Sequence, residues 1–73
     1  MTKGGYRVGI NFNPSNDSIV DQIKQKAADL IDLIETIPAD TADRPRLKAL
    51  AQTAIEEAAM WAVKAATKPE FKA

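Results

Sequence analysis

The chain has 73 residues, ten Lys plus Arg balanced by ten Asp plus Glu, and neither Cys nor His. One domain of this size buries only about 60% of its unfolded surface, and without disulfides or zinc ligands, self-association is the remaining way to enlarge its core. Zero net charge removes the field that draws proteins to DNA, RNA or anionic membranes, and missing His and Cys remove most nucleophilic and acid–base chemistry.

These totals predict a soluble intracellular protein that is not an enzyme and has no metal and no cofactor. No apolar run approaches the roughly 20 residues of a membrane span, and the Gly- and Asn-bearing start does not resemble a signal peptide.

Residues 1–17 read as an extended arm and turn. GGYRVGINFNPSND holds the one Tyr, one of two Phe, all three Gly and all three Asn, with Lys3 and Arg7 on the basic side and no acid before Asp17. Tyr6 can stack on a nucleobase for about 1–3 kcal/mol. The Arg7 guanidinium can reach a phosphate, and Gly4, Gly5 and Gly9 let backbone amides approach a ligand. Equally, a Tyr on such an arm can pack over a neighbouring subunit's apolar surface, and Asn-Pro-Ser-Asn can be a turn leading to a helix cap.

Apolar periodicity predicts a first helix over about Ser18 to Thr36, capped by Asn16, Asp17 or Ser18 and stopped before Pro38. Leu33, Ile19, Leu30, Ile23, Ile34, Ala27, Val20 and Ile31 form its apolar arc, wider than one partner helix requires. Lys24 borders this arc at one rim and Lys26 at the other. Each has an acid three residues away, Asp21 and Asp29, so surface ion pairs are one account. An anion held between subunits is the other. Asp29, Asp32 and Glu35 recur every three residues as a solvated face.

TIPADTAD forms a short turn, and a second helix follows over about Arg44 to Thr67, with Thr41 or Asp43 as cap and Pro45 in its first turn. Its arc is Leu50, Trp61, Ala54, Leu47, Ala65, Ala58, Ala51, Ala62 and Ile55. So brief a connection packs the helices as an antiparallel αα-hairpin. The surplus apolar surface must meet another copy, most simply in a closed symmetric oligomer. Arg46, Thr53, Met60 and Thr67 make a separate seven-residue stripe, either a subunit contact or a second polar site. Trp61 is expected as an interface anchor.

GYR, a helix with VDQIK, a turn, and then Arg46, Ala51, Thr53 and Met60 at R-x₄-A-x-T-x₆-M spacing together resemble the helical hairpin domain of phage anti-CBASS proteins. These are sponges for the cyclic oligonucleotide signals of bacterial CBASS immunity, and a related hairpin occurs in sponges that counter Thoeris defence. The resemblance covers residues 5 to about 67. It implies a homohexamer that holds cyclic dinucleotides between subunits, with cyclic trinucleotides at a distinct site. By motif, Tyr6 would stack on a base and Lys24 contact the phosphate ring, while Arg46 and Thr53 would belong to the trinucleotide site. Arg7 and Lys26 join the dinucleotide set on geometry alone.

The resulting expectation is a phage or prophage sponge acting in the cytoplasm of the infected bacterial host, with cyclic oligonucleotides and copies of itself as partners. Polymeric DNA or RNA and membranes are not expected partners. The competing reading is a small helical protein-interaction module with no nucleotide ligand.

Overall fold

The computed structural model describes residues 1–11 and 18–69. Three helices follow in chain order, α1 at Lys3–Val8, α2 at Ser18–Glu35 and α3 at Arg44–Thr67. All regular structure among the described residues is helical. The two long helices form the hairpin, with α2 ending one residue short of the expected Thr36. Asn16 and Asp17, two of the three expected caps of α2, lie outside the described residues, as do Phe12 and Asn13.

The extended arm is corrected: its first part is a six-residue helix. Two glycines make KGGYRV a poor helix former, so its order comes from caps and contacts. At its start the Thr2 hydroxyl accepts from the Gly5 N–H at 3.0 Å. At its end Gly9 adopts φ 65°, a left-handed conformation that suits glycine. Gly9 N–H then donates to Tyr6 O and Ile10 N–H to Gly5 O, closing the turn.

α1 lies directly on α2. Gly4 is buried, and a Cβ there would stand 2.8 Å from the Ala28 Cα and carbonyl carbon, so only glycine permits this approach. Gly4 N–H donates to Asp32 Oδ1 at 2.8 Å. From the α2 side, Lys24 Nζ donates to the Gly9 carbonyl at 3.0 Å. Asp32 therefore does structural work that a solvated acidic face would not.

The core is small: Val20, Ala28 and Ile31 from α2 and Ala59 from α3, with the polar Lys24 and Gln52 buried among them. Gln52 is 1% exposed. Its amide donates to the Ile31 carbonyl at 3.1 Å, and its Oε1 accepts from Lys3 Nζ at 3.0 Å, so its polar ends are satisfied.

The inward face of α3 differs from the expected one. Leu47 and Leu50 are exposed, as is Trp61, the expected interface anchor, whereas Gln52 and Ala59 face α2. The helix is turned about a quarter turn from its most apolar arc. Small Ala59 admits close packing, and the Gln52 amide finds a carbonyl on α2, so contact geometry outweighs hydrophobicity. On α2, Ile19, Leu30 and Leu33 are likewise exposed.

At the turn, Lys48 Nζ donates to the Glu35 and Ile37 carbonyls at 3.1 and 2.6 Å, placing a cation on the C-terminal end of α2. Asp43 occupies the N-cap position of α3 without a side-chain cap bond, and the Arg44 N–H instead donates to the Thr41 hydroxyl at 3.3 Å.

Candidate ligand-binding site

α1, α2 and α3 enclose a cleft of about 260 Å³ lined by Arg7, Val8, Lys24, Glu56, Ala59, Met60 and Val63. Each helix contributes for a local reason. Docking through Gly4 aims the last turn of α1 across the hairpin, bringing Arg7 and Val8 to the cleft. Lys24 reaches it from α2, its stem buried and its ammonium next to the end of α1. The Ala-rich face of α3 supplies a low floor of Ala59, Met60 and Val63.

Arg7 is held on α3. Its Nε and Nη2 both lie 3.0 Å from Glu56 Oε2, and Nη2 also donates to the Thr53 hydroxyl at 3.2 Å. The cleft thus combines two cations, one carboxylate and an apolar floor. Such a lining suits a ligand with a phosphate and a flat apolar portion.

Of the expected site residues, Arg7 and Lys24 line this cleft, and Thr53 is hydrogen-bonded to Arg7. Tyr6 precedes Arg7 on α1 and is 78% exposed, its ring outside the cleft lining. Lys26 is exposed, and two positions from Lys24 on a helix it points to nearly the opposite side. Arg46 is exposed, 4.0 Å from Asp43, the residue just before its own helix, and two turns from Thr53 along α3. The structure therefore joins Arg7, Lys24 and Thr53 and leaves Lys26 and Arg46 apart. Asn11 is exposed after the α1 turn.

A polar knot supports the site from behind. Lys3 Nζ lies 3.1 Å from Glu35 Oε2 and also donates to Gln52, while Lys48 Nζ lies 3.9 Å from Glu35 Oε1. The Glu35 carboxyl is held below its usual value of 4.5, first by the hydrogen bond from Lys3 and then by that from Gln52. Lys3, Gln52 and Glu56 were missed by sequence reasoning. Glu56 carried one usable signal: it lies three residues beyond Thr53, hence on the same side of α3.

Among the described residues, no group of acidic side chains could hold a metal ion, and no helix is long and apolar enough to cross a membrane.

Comparison with known proteins gives one family, described as Acb2/Tad1, hairpin domain, whose model matches residues 5–67. No curated protein and no solved structure matches. The matched span runs from the start of GYR to the last residue of α3, and so takes in all three helices of the cleft except the first two residues of α1. The chain belongs to the Acb2/Tad1 hairpin family, the anti-CBASS and anti-Thoeris sponges.

Proposed function

We propose that this chain sequesters cyclic oligonucleotide second messengers of bacterial CBASS immunity, as a homohexamer acting in the cytoplasm of the infected host. The observation that carries the reading is the shared position of Arg7 and Lys24 on one cleft, with the Tyr6 ring presented on the same short helix. Arg7 and Lys24 supply donors for a phosphodiester ring, and an exposed Tyr6 stacks on a base contributed across a subunit junction. A sponge needs tight reversible binding, and this cleft offers charge and shape for that.

Self-association is supported by the apolar side chains that the hairpin leaves outside. α1 covers one flank of α2 and reaches Thr53 and Glu56 on α3. Ile19, Leu30 and Leu33 of α2, together with Leu47, Leu50 and Trp61 of α3, lie on the flanks turned away from α1. Between them sits a second, apolar cleft of about 250 Å³ lined by Ile34, Ile37, Leu47 and Ala51, with Arg44 and Lys48 at its edge. Another copy of the chain is its natural cover.

Arg46 and Thr53 remain assigned to a separate cyclic trinucleotide site. Because Thr53 also accepts from Arg7, Arg46→Ala is the cleaner probe of that second site.

The test is a thermal-melting and calorimetric panel of cyclic di- and trinucleotides. A ligand at about 100 times its Kd adds about 2.7 kcal/mol, which raises the melting temperature of a domain this size by more than ten degrees at about 4–8 °C per kcal/mol. Tyr6→Ala should remove most of the cyclic dinucleotide response. Absence of any shift across the panel would leave the exposed apolar flank as the functional surface and favour a protein-interaction module.

A further inference from the structure

Arg7 is an intended phosphate donor, yet its guanidinium already holds a carboxylate. Glu56 Oε2 lies 3.0 Å from both Nε and Nη2 of Arg7, so one oxygen bridges two of its donor atoms. This is the geometry in which a phosphate oxygen would be received. The pair lines the cleft itself, with side chains about 21% and 34% exposed. Glu56 is also the acid among the cleft's lining residues, against two cations and an apolar floor.

A carboxylate there is not required to keep Arg7 in place. The Thr53 hydroxyl already accepts from Nη2 at 3.2 Å, and the docking of α1 is secured by Gly4, Asp32 and the Lys24–Gly9 bond. An uncharged acceptor would serve to orient the guanidinium. A charged one has a further effect: it occupies the donors that an anionic ligand needs, and it repels any phosphate that approaches Lys24.

We propose that Glu56 is a built-in competing anion, an affinity- and specificity-determining residue whose carboxylate the ligand's phosphate must displace from Arg7. The inference rests on the sponge reading above and adds to it a residue that neither the family resemblance nor the sequence singles out for the site. Its consequence is selection: a ligand gains from this cleft only if it presents an anion to Arg7. Neutral nucleosides, and ligands whose single phosphate is engaged by Lys24, leave the Arg7–Glu56 pair closed and gain less.

The experiment is a mutant cycle on the full chain with 3′,3′-cyclic GMP-AMP as probe, read by calorimetry, with the melting temperature of the ligand-free protein measured in parallel. Glu56→Gln keeps an oxygen that accepts from Arg7 and removes the charge. The expected result is binding tightened about fivefold, the scale of a partly exposed ion pair, together with a lower melting temperature of the ligand-free protein. A role confined to structure moves both quantities the same way, so unchanged or weakened binding in Glu56→Gln overturns the proposal. In an Arg7→Ala background the gain from Glu56→Gln should vanish; persistence of the full gain there means repulsion alone and overturns the displacement. If the wild type and both single variants all fail to bind the probe and every other cyclic oligonucleotide tried, the sponge reading falls and this inference falls with it. Binding by the wild type with no gain in Glu56→Gln removes this inference alone.

Discussion

Gly4 of α1 sits directly over Ala28 of α2, with the backbones so close that a Cβ on Gly4 would stand 2.8 Å from the Ala28 Cα. The obstacle is backbone, which cannot rotate aside as a side chain can. Gly4→Ala therefore pushes α1 off the hairpin and loses the Gly4 N–H bond to Asp32. Overpacking of this kind costs about 1–3 kcal/mol. The expected outcome is a lower urea midpoint with the helix content of α2 and α3 retained, and loss of cyclic dinucleotide binding because Arg7 leaves the cleft. Unchanged stability in a denaturant titration would show that α1 is not docked through this contact.

Gln52 gives a second prediction. It is fully buried and bonded both to the Ile31 carbonyl and to Lys3. Gln52→Ala leaves a cavity at the junction of all three helices and strips Lys3 of one acceptor. A loss of about 1–3 kcal/mol is expected, the cost of an unsatisfied buried polar group. Gln52→Leu fills the volume and should recover part of that loss, but not the tether to α1. Hydrogen exchange at residues 4–8 separates the two effects: it should be faster in both variants.

Much of the fold was legible because it rests on periodicity. Two long runs with apolar residues three and four apart, separated by the turn that Pro38 and Pro45 mark, define the hairpin. The α1 helix was illegible for a physical reason: Gly4 and Gly5 oppose helix locally, and what overrides them is the tertiary approach to Ala28, which no local pattern announces. The rotation of α3 was hidden in the same way. Hydrophobicity points Leu47 and Leu50 inward, whereas the structure selects Ala59 for its size and Gln52 for its amide. For the candidate site, composition drew attention to Tyr6 and Arg7, but the partners of Arg7 sit 46 and 49 residues along the chain and become neighbours only once α1 docks.

Acid stability follows from Glu35. Its carboxyl titrates below 4.5 in the folded chain because Lys3 and Gln52 hydrogen-bond its charged form. For an acid whose folded value is depressed, the unfolded chain takes up the proton first as pH drops. The stabilisation is therefore complete above 4.5 and is lost as pH falls through the lower folded value. Glu35→Gln should flatten the stability profile on the acid side of 4.5 and leave its slope near neutrality unchanged. Urea midpoints collected between pH 3 and 7 make the comparison, and an unaltered acid slope would mean that Glu35 does not govern this window.

The apolar flank gives the last prediction. Leu33 and Leu50 are 65% and 56% exposed, and Trp61 is 57% exposed. Trp61 is also oriented: its Nε1–H donates to Glu57 at 3.4 Å, and Lys64 Nζ lies 5.4 Å from the ring centroid. A ring fixed in this way loses little freedom when it is covered, which makes it a good anchor for another copy. Placing a charge at Leu33 or Leu50 puts an unpaired ion into any junction formed there, at several kcal/mol per buried ion. Because both residues are exposed in the single hairpin, Leu33→Glu and Leu50→Glu should leave helix content intact while dissociating the assembly in light scattering at micromolar concentration. Ligand binding should weaken along with assembly if neighbouring copies complete the cleft, and persist in the dissociated variants if each hairpin binds alone. A wild-type chain that scatters as a monomer at that concentration would remove the homohexamer from the proposal and return this flank to a different partner.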